Sequence, residues 1–250
     1  MTLSDDQLDR YARHLVLREI GGAGQAKIRA ATVTVIGAGG IGTPVLQYLA
    51  AAGVGRLVII DDDVVSLSNL QRQVIFVTSD IGKAKAGRAG EYVADLNPDI
   101  EVTVVERRIV ADNATELLTG ADVIVDGSDN FATRLVVADT AYALRIPLVS
   151  AAIGQFHGQL GTWRGWIAGQ PCYRCYVGDA HDSDDCDSCA EVGVLGAMTG
   201  IMGSYAALEA IRCIHPFGDD QAGKLHMIDG LAPGFRTIRM PKDPRCRVCS

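Results

Sequence analysis

Thr32-Val33-Thr34-Val35-Ile36 runs directly into Gly37-Ala38-Gly39-Gly40-Ile41-Gly42, then a helical pattern from Thr43 to Ala52, then Leu57-Val58-Ile59-Ile60-Asp61. A β-branched run, a glycine turn, a helix and a second β-branched run describe a strand–helix–strand unit, in which the helix supplies the crossover that parallel strands require. The glycines let backbone N–H groups approach phosphate oxygens at a helix N-terminus, where the dipole favours negative charge. Asp61, nineteen residues beyond Gly42, stands where a carboxylate takes ribose hydroxyls. Gly37, Gly39, Gly40, Gly42 and Asp61 are therefore candidate nucleotide ligands. The pattern specifies a nucleotide and leaves the reaction open.

The alternation continues with a helix near Lys83 to Leu96, strands near Val102 to Val105 and Val123 to Asp126, a helix from Asn130 to Leu144, and Pro147-Leu148-Val149. It predicts an α/β, Rossmann-like, doubly wound and mostly parallel sheet with helices on both faces. Residues 1–30 read as an N-terminal helical arm, in which Ser4 and Gln7 form a capping box and Leu8, Tyr11, Leu15 and Val16 share one face. Beyond Ser150 the texture changes to His157–Trp163 and to strands near Leu225 to Ile228 and Phe235 to Arg239, expected as antiparallel additions at the far edge of the sheet. Neither an internal repeat nor a Pro- or Ser-rich linker divides the chain. One domain over 1–250 is expected, with a nucleotide-binding half at 31–150 and a second half at 151–250. Within the latter lie an acidic loop at 179–191 and an uncharged stretch from Val192 to Leu208, read as a buried helix. Gly196, Gly200 and Ser204 on that helix make a small-residue stripe for close backbone contact, internal or between subunits.

With 23 Lys+Arg against 30 Asp+Glu the net charge is −7, which argues against a nucleic-acid partner held by phosphate attraction. The uncharged stretch falls short of the roughly 20 apolar residues of a membrane span. The charges in Met1 to Gly21 do not fit a secretory leader. No membrane partner and a cytoplasmic location are expected. Of seven cysteines, four fall in the pairs Cys172-Tyr173-Arg174-Cys175 and Cys246-Arg247-Val248-Cys249. Two such pairs read as a four-thiolate zinc site, structural because four protein ligands leave no open position; two local disulfides or free buried thiols are the alternatives.

The residues after Asp61 bear on which nucleotide binds. Asp62-Asp63-Val64-Val65-Ser66-Leu67-Ser68-Asn69-Leu70-Gln71-Arg72-Gln73 lies just past a strand's carboxyl end, where ligands bind in such sheets. Lys85 opens the next helix, and Asp129-Asn130 follows another strand end. An arginine, a lysine and a spare aspartate at successive strand ends suit a triphosphate with Mg²⁺ better than a dinucleotide. Asp63, Ser68, Asn69, Arg72, Gln73, Lys85, Asp129 and Asn130 thus join the candidate ATP ligands.

The glycine turn, the Ser68-Asn69-Leu70-Gln71-Arg72-Gln73 run, Asp129-Asn130 and the two cysteine pairs together resemble the MoeB/ThiF family, nearest its MoeB type. The likeness runs from Arg10-Tyr11-Ala12-Arg13 to Cys249. These are bacterial relatives of the ubiquitin-activating enzyme. In that family a homodimer uses MgATP to adenylate the C-terminal glycine of a ubiquitin-like sulfur-carrier protein ending in Gly-Gly. Sulfur then replaces AMP, giving a thiocarboxylate for molybdopterin or thiamine biosynthesis. The resemblance implies that Gly40 and its neighbours line the phosphates and Asp61 takes the ribose. Asn69, Arg72 and Lys85 would hold the triphosphate, Asp129 would bind Mg²⁺, and Arg13 would reach across the dimer. It also implies zinc on Cys172, Cys175, Cys246 and Cys249, and a carrier-binding role for residues 151–250. Cys189 matches the position at which ThiF-like members form a covalent sulfur link that MoeB-like members do not need, so a ThiF-like enzyme with a covalent step stays open. The sulfur donor is expected to be a separate protein, such as a cysteine desulfurase or a rhodanese. From other classes, an NAD-dependent oxidoreductase and a docking scaffold remain, the scaffold weighed against by Arg72, Lys85 and Asp129.

Overall fold

The computed structural model of the protein describes residues 3–178, 193–232 and 234–250. The strands are β1 (Thr32–Ile36), β2 (Arg56–Ile60), β3 (Glu101–Val105), β4 (Val123–Asp126), β5 (Leu148–Gly154), β6 (His157–Trp163), β7 (Lys224–Asp229) and β8 (Gly234–Arg239). Among the described residues they form one sheet in the order β3-β2-β1-β4-β5-β6-β7-β8. The first five are parallel. From β5 onward the pairing is antiparallel, as the change of texture after Ser150 predicts.

Alternation of side chains along the strands divides the core into two layers. Val33, Val35, Leu57, Ile59, Val123 and Val125 pack on one face under α3 (Gly21–Ala30), α4 (Gly42–Ala52) and α5 (Lys85–Leu96), joined there by the long C-terminal helix Gly196–Ile214. Ile36, Ile60 and Ile124 pack on the other, under α6 (Ala111–Leu118), α7 (Phe131–Leu144) and α8 (Tyr173–Val177). The helix Gly196–Ile214 is α9. No described helix is long and apolar enough to cross a membrane.

Three expectations are corrected. The capping box of Ser4 and Gln7 forms, but the arm breaks at Tyr11 into α1 (Asp5–Arg10) and α2 (Ala12–Leu15). Only Tyr11 of the expected face is buried, its hydroxyl accepting from Asn97 Nδ2 at 3.0 Å, while Leu8 and Val16 are exposed. The uncharged helix starts later and runs on to Ile214, so it includes Glu209, which is buried and paired with Arg212 at 3.1 Å. Its close contacts come from Gly196, against the Gln71 carbonyl, and Gly203, against the Ile41 carbonyl, whereas Gly200 faces open space. Seven residues are nearly two helical turns and keep one face; four-residue steps drift off it. α6 was not expected, because only Ala114 and Leu118 of its eight residues are buried and its apolar signal is correspondingly thin. The acidic loop at 179–191 lies outside the described residues, as do Val192 and Pro233.

Candidate active site

β2 and β4 leave β1 on opposite sides, so the strand order reverses between β1 and β4, the place where open α/β sheets bind ligands. A cleft of about 430 Å³ opens there. Gly37 leaves β1 at a φ of 85°, a conformation that favours glycine, and packs against Gly127 beyond β4. A side chain at Gly42 would collide with the Gly37 carbonyl, so both glycines are needed for the tight turn. No side chain caps the N-terminus of α4, which leaves that end to receive an anion.

The Asp61 carboxylate is fixed by two backbone donors, Ala38 N–H at 2.6 Å and Asp63 N–H at 2.8 Å. Each oxygen keeps a lone pair for a ribose hydroxyl. Burial raises its pKa above the ordinary aspartate value, with the Asp63 N–H and the nearby Lys85 ammonium pulling the other way. The Lys85 side chain is nearly buried and donates to Asp63 Oδ2 at 2.9 Å. Arg72 is steadied by the Ser68 carbonyl at 3.0 Å. Asn69 spends its Oδ1 on Ser66 N–H, which leaves its NH₂ as the group it can offer a ligand. Gln73 is buried with an unpartnered Oε1 at the cleft wall. Asp129 is exposed and lines the cleft, while Asn130 caps α7 by accepting from Thr133 N–H at 2.8 Å.

Gly37, Gly39, Gly40, Asp61, Asp63, Ser68, Asn69, Arg72, Gln73, Lys85, Asp129 and Asn130 therefore line one space. Gly42 builds the turn from behind. Arg13 is exposed on α2 and is not among the residues lining this chain's cleft. Cys189 lies outside the described residues. Sequence reasoning missed Arg107 and Arg108 after β3, Arg134 on α7 and Gln159 on β6, all of which line the cleft. Arg107 and Arg108 follow a strand's carboxyl end, the signal that could have found them. A second cavity of about 590 Å³ shares Ala152, Ile153 and Gln159 with the cleft and is walled by Met227, Ile228 and Phe235.

The four paired cysteines are unbridged thiols. Their sulfurs lie within 4.8 Å of one another, with Sγ···Sγ distances of 3.9 Å for Cys172–Cys175, 3.6 Å for Cys172–Cys246 and 3.4 Å for Cys175–Cys249. Tetrahedral zinc at about 2.3 Å from each sulfur needs roughly 3.8 Å between sulfurs, so this donor set fits zinc.

The family model described as ThiF family matches residues 11–248. The chain is 44% identical over 251 residues to the SAMP-activating enzyme E1 of Haloferax volcanii, covering 100% of this chain and 92% of that protein. It is 42% identical over 252 residues to a sulfur carrier protein adenylyltransferase of Thermus thermophilus, covering 100% and 93%. Among solved structures, E. coli MccB superposes with a TM-score of 0.85 at 23% identity over 100% of this chain and 74% of that one, a likeness of fold. The names of the first two relatives carry E1-type activation and adenylyl transfer. By the span of the model match and by these identities, the chain belongs to the ThiF family.

Proposed function

We propose that the protein is an adenylyltransferase that uses ATP to activate the C-terminal glycine carboxylate of a ubiquitin-like sulfur-carrier protein. The observation that carries this reading is the gathering of Asp61, Asn69, Arg72, Lys85 and Asp129 round one cleft, beside a second groove that shares Ala152, Ile153 and Gln159 with it. The groove gives an extended Gly-Gly tail a way in past Ala152 and Ile153, with residues 151–250 as the carrier-binding half. A carrier carboxylate is ionised at neutral pH, so its oxygen attacks the α-phosphorus without a general base. The bond from that phosphorus to the β-bridging oxygen breaks, and pyrophosphate leaves. Asp61 orients the ribose, and Arg72 with Lys85 supplies fixed positive charge to the phosphates. Mg²⁺ on Asp129, when bound, would neutralise charge on the departing pyrophosphate.

Zinc on Cys172, Cys175, Cys246 and Cys249 would be structural, and thiols kept for a metal suit a reducing compartment such as the cytoplasm. A homodimer with Arg13 serving the partner's cleft, and a separate protein as sulfur donor, complete the reading. The test is carrier-dependent ATP–pyrophosphate exchange with purified carriers of the molybdopterin and thiamine types. Exchange with one of them is expected and names the pathway. ATP binding without exchange on either would overturn carrier adenylation for those pathways.

A further inference from the structure

Arg134 breaks two ordinary rules. It sits in the first turn of α7, where the helix dipole disfavours a cation, and it is buried, where a guanidinium is costly unless its donors are matched. Violations of this kind concentrate where a residue serves the site. Its donors are matched by three oxygens, two from β5 and one from the turn after β4: Ser150 Oγ at 3.2 Å, the Ala151 carbonyl at 2.9 Å and the Ser128 carbonyl. On the other side of the same turn, Asp126 Oδ1 accepts from Ser128 N–H at 2.9 Å and Ser128 Oγ–H at 2.7 Å. Its Oδ2 lies 3.9 Å from the guanidinium. Asn130 closes the turn by capping α7. Between Ser128 and Asn130, both held, stands Asp129, exposed to the cleft.

We propose that Arg134 is a positioning residue for adenylation, which holds the Ser128–Asn130 turn so that the Asp129 carboxylate faces the nucleotide's metal. This rests on the reading of Asp129 as the Mg²⁺ ligand. Tyr173 stands beside this arrangement: its hydroxyl and the guanidinium are near enough for each to shift the other's proton affinity, and its ring packs edge-on to Trp163 at 5.8 Å. Since Tyr173 lies between Cys172 and Cys175, the cysteine knot fixes one wall of the arginine's pocket. A lysine at 134 would keep the charge, but a single ammonium does not reproduce the planar fork that spans β4 and β5.

ATP affinity measured by calorimetry with Mg²⁺ and with EDTA tests this without a carrier. Arg134→Lys is expected to bind ATP in EDTA within about twofold of wild type while the gain from Mg²⁺ shrinks about tenfold. Tyr173→Phe is expected to shrink the gain about threefold, and it decides the matter if Arg134→Lys does not fold. A full Mg²⁺ gain in a folded Arg134→Lys or Tyr173→Phe protein overturns the proposal. So does an equal loss with and without Mg²⁺, which would make Arg134 a support for the whole cleft. Asp129→Asn separates the two readings. If it abolishes the gain while Arg134→Lys keeps it, positioning by Arg134 fails alone; if it keeps the gain, the Asp129 assignment fails and the proposal falls with it.

Discussion

Asp61 carries two loads that pull its proton affinity in opposite directions. Burial favours the neutral acid, while two backbone N–H donors and Lys85 favour the carboxylate, and burial wins. A carboxylate with a raised pKa is lost as pH falls through that value, earlier than an ordinary aspartate near 3.9 would be. ATP affinity should therefore fall on the acid side at a higher pH than solvated aspartates titrate. Asp61→Asn should lack that limb and bind ATP at least about tenfold more weakly at neutral pH, the scale of a lost hydrogen bond to a charged group. The phosphates of ATP titrate equally in both proteins, so the difference between the two pH profiles isolates Asp61. Superimposable profiles would remove Asp61 from the ribose site.

At the level of elements, the strands of the parallel half are legible in sequence because both faces of the sheet are covered, which makes Thr32–Ile36 an uncharged β-branched run and Leu57–Ile60 an apolar one. α6 and the N-terminal arm are poorly legible for the opposite reason: α6 buries two side chains, and the arm buries Tyr11 but exposes Leu8 and Val16. The site follows the same division. Asp61, Arg72 and Asp129 could be found because they lie in the segments that follow a strand's carboxyl end, and Lys85 because it opens the next helix. Arg134 could not, since its partners Ser128 and Ser150 become neighbours only when β4 pairs with β5. The cysteine pairs, 70 residues apart in the chain, meet beside α8, where the knot joins the last residues to the second core layer. One zinc per chain is expected by elemental analysis. Stripping it should cost about 3 kcal/mol or more, lowering Tm by roughly 6–12 °C for a chain of this size. Metal-free protein with an unchanged Tm would mean that the thiols hold the fold by packing alone.

At the scale of the whole molecule, Arg13 sits exposed on α2 and is not among the residues that line its own chain's cleft. Leu8, Val16 and Leu17 on the same arm are exposed as well, and the proposed homodimer would give them a surface to pack against. In a two-fold dimer what one arm gives the other site, the other arm gives back. This makes the proposed role of Arg13 testable by complementation. Arg13→Ala and Lys85→Ala, each expected to be nearly inactive as homodimers, are co-expressed with different tags and the heterodimer is isolated through both. If Arg13 acts across the dimer, the Arg13→Ala chain keeps its own Lys85 and receives Arg13 from its partner. That dimer then has one intact site and about half of wild-type exchange activity. If Arg13 acts within its own chain, each site of the heterodimer lacks one residue and activity stays at the level of the parents. The two outcomes differ by far more than the error of an exchange assay, and the second would confine the cleft to a single subunit.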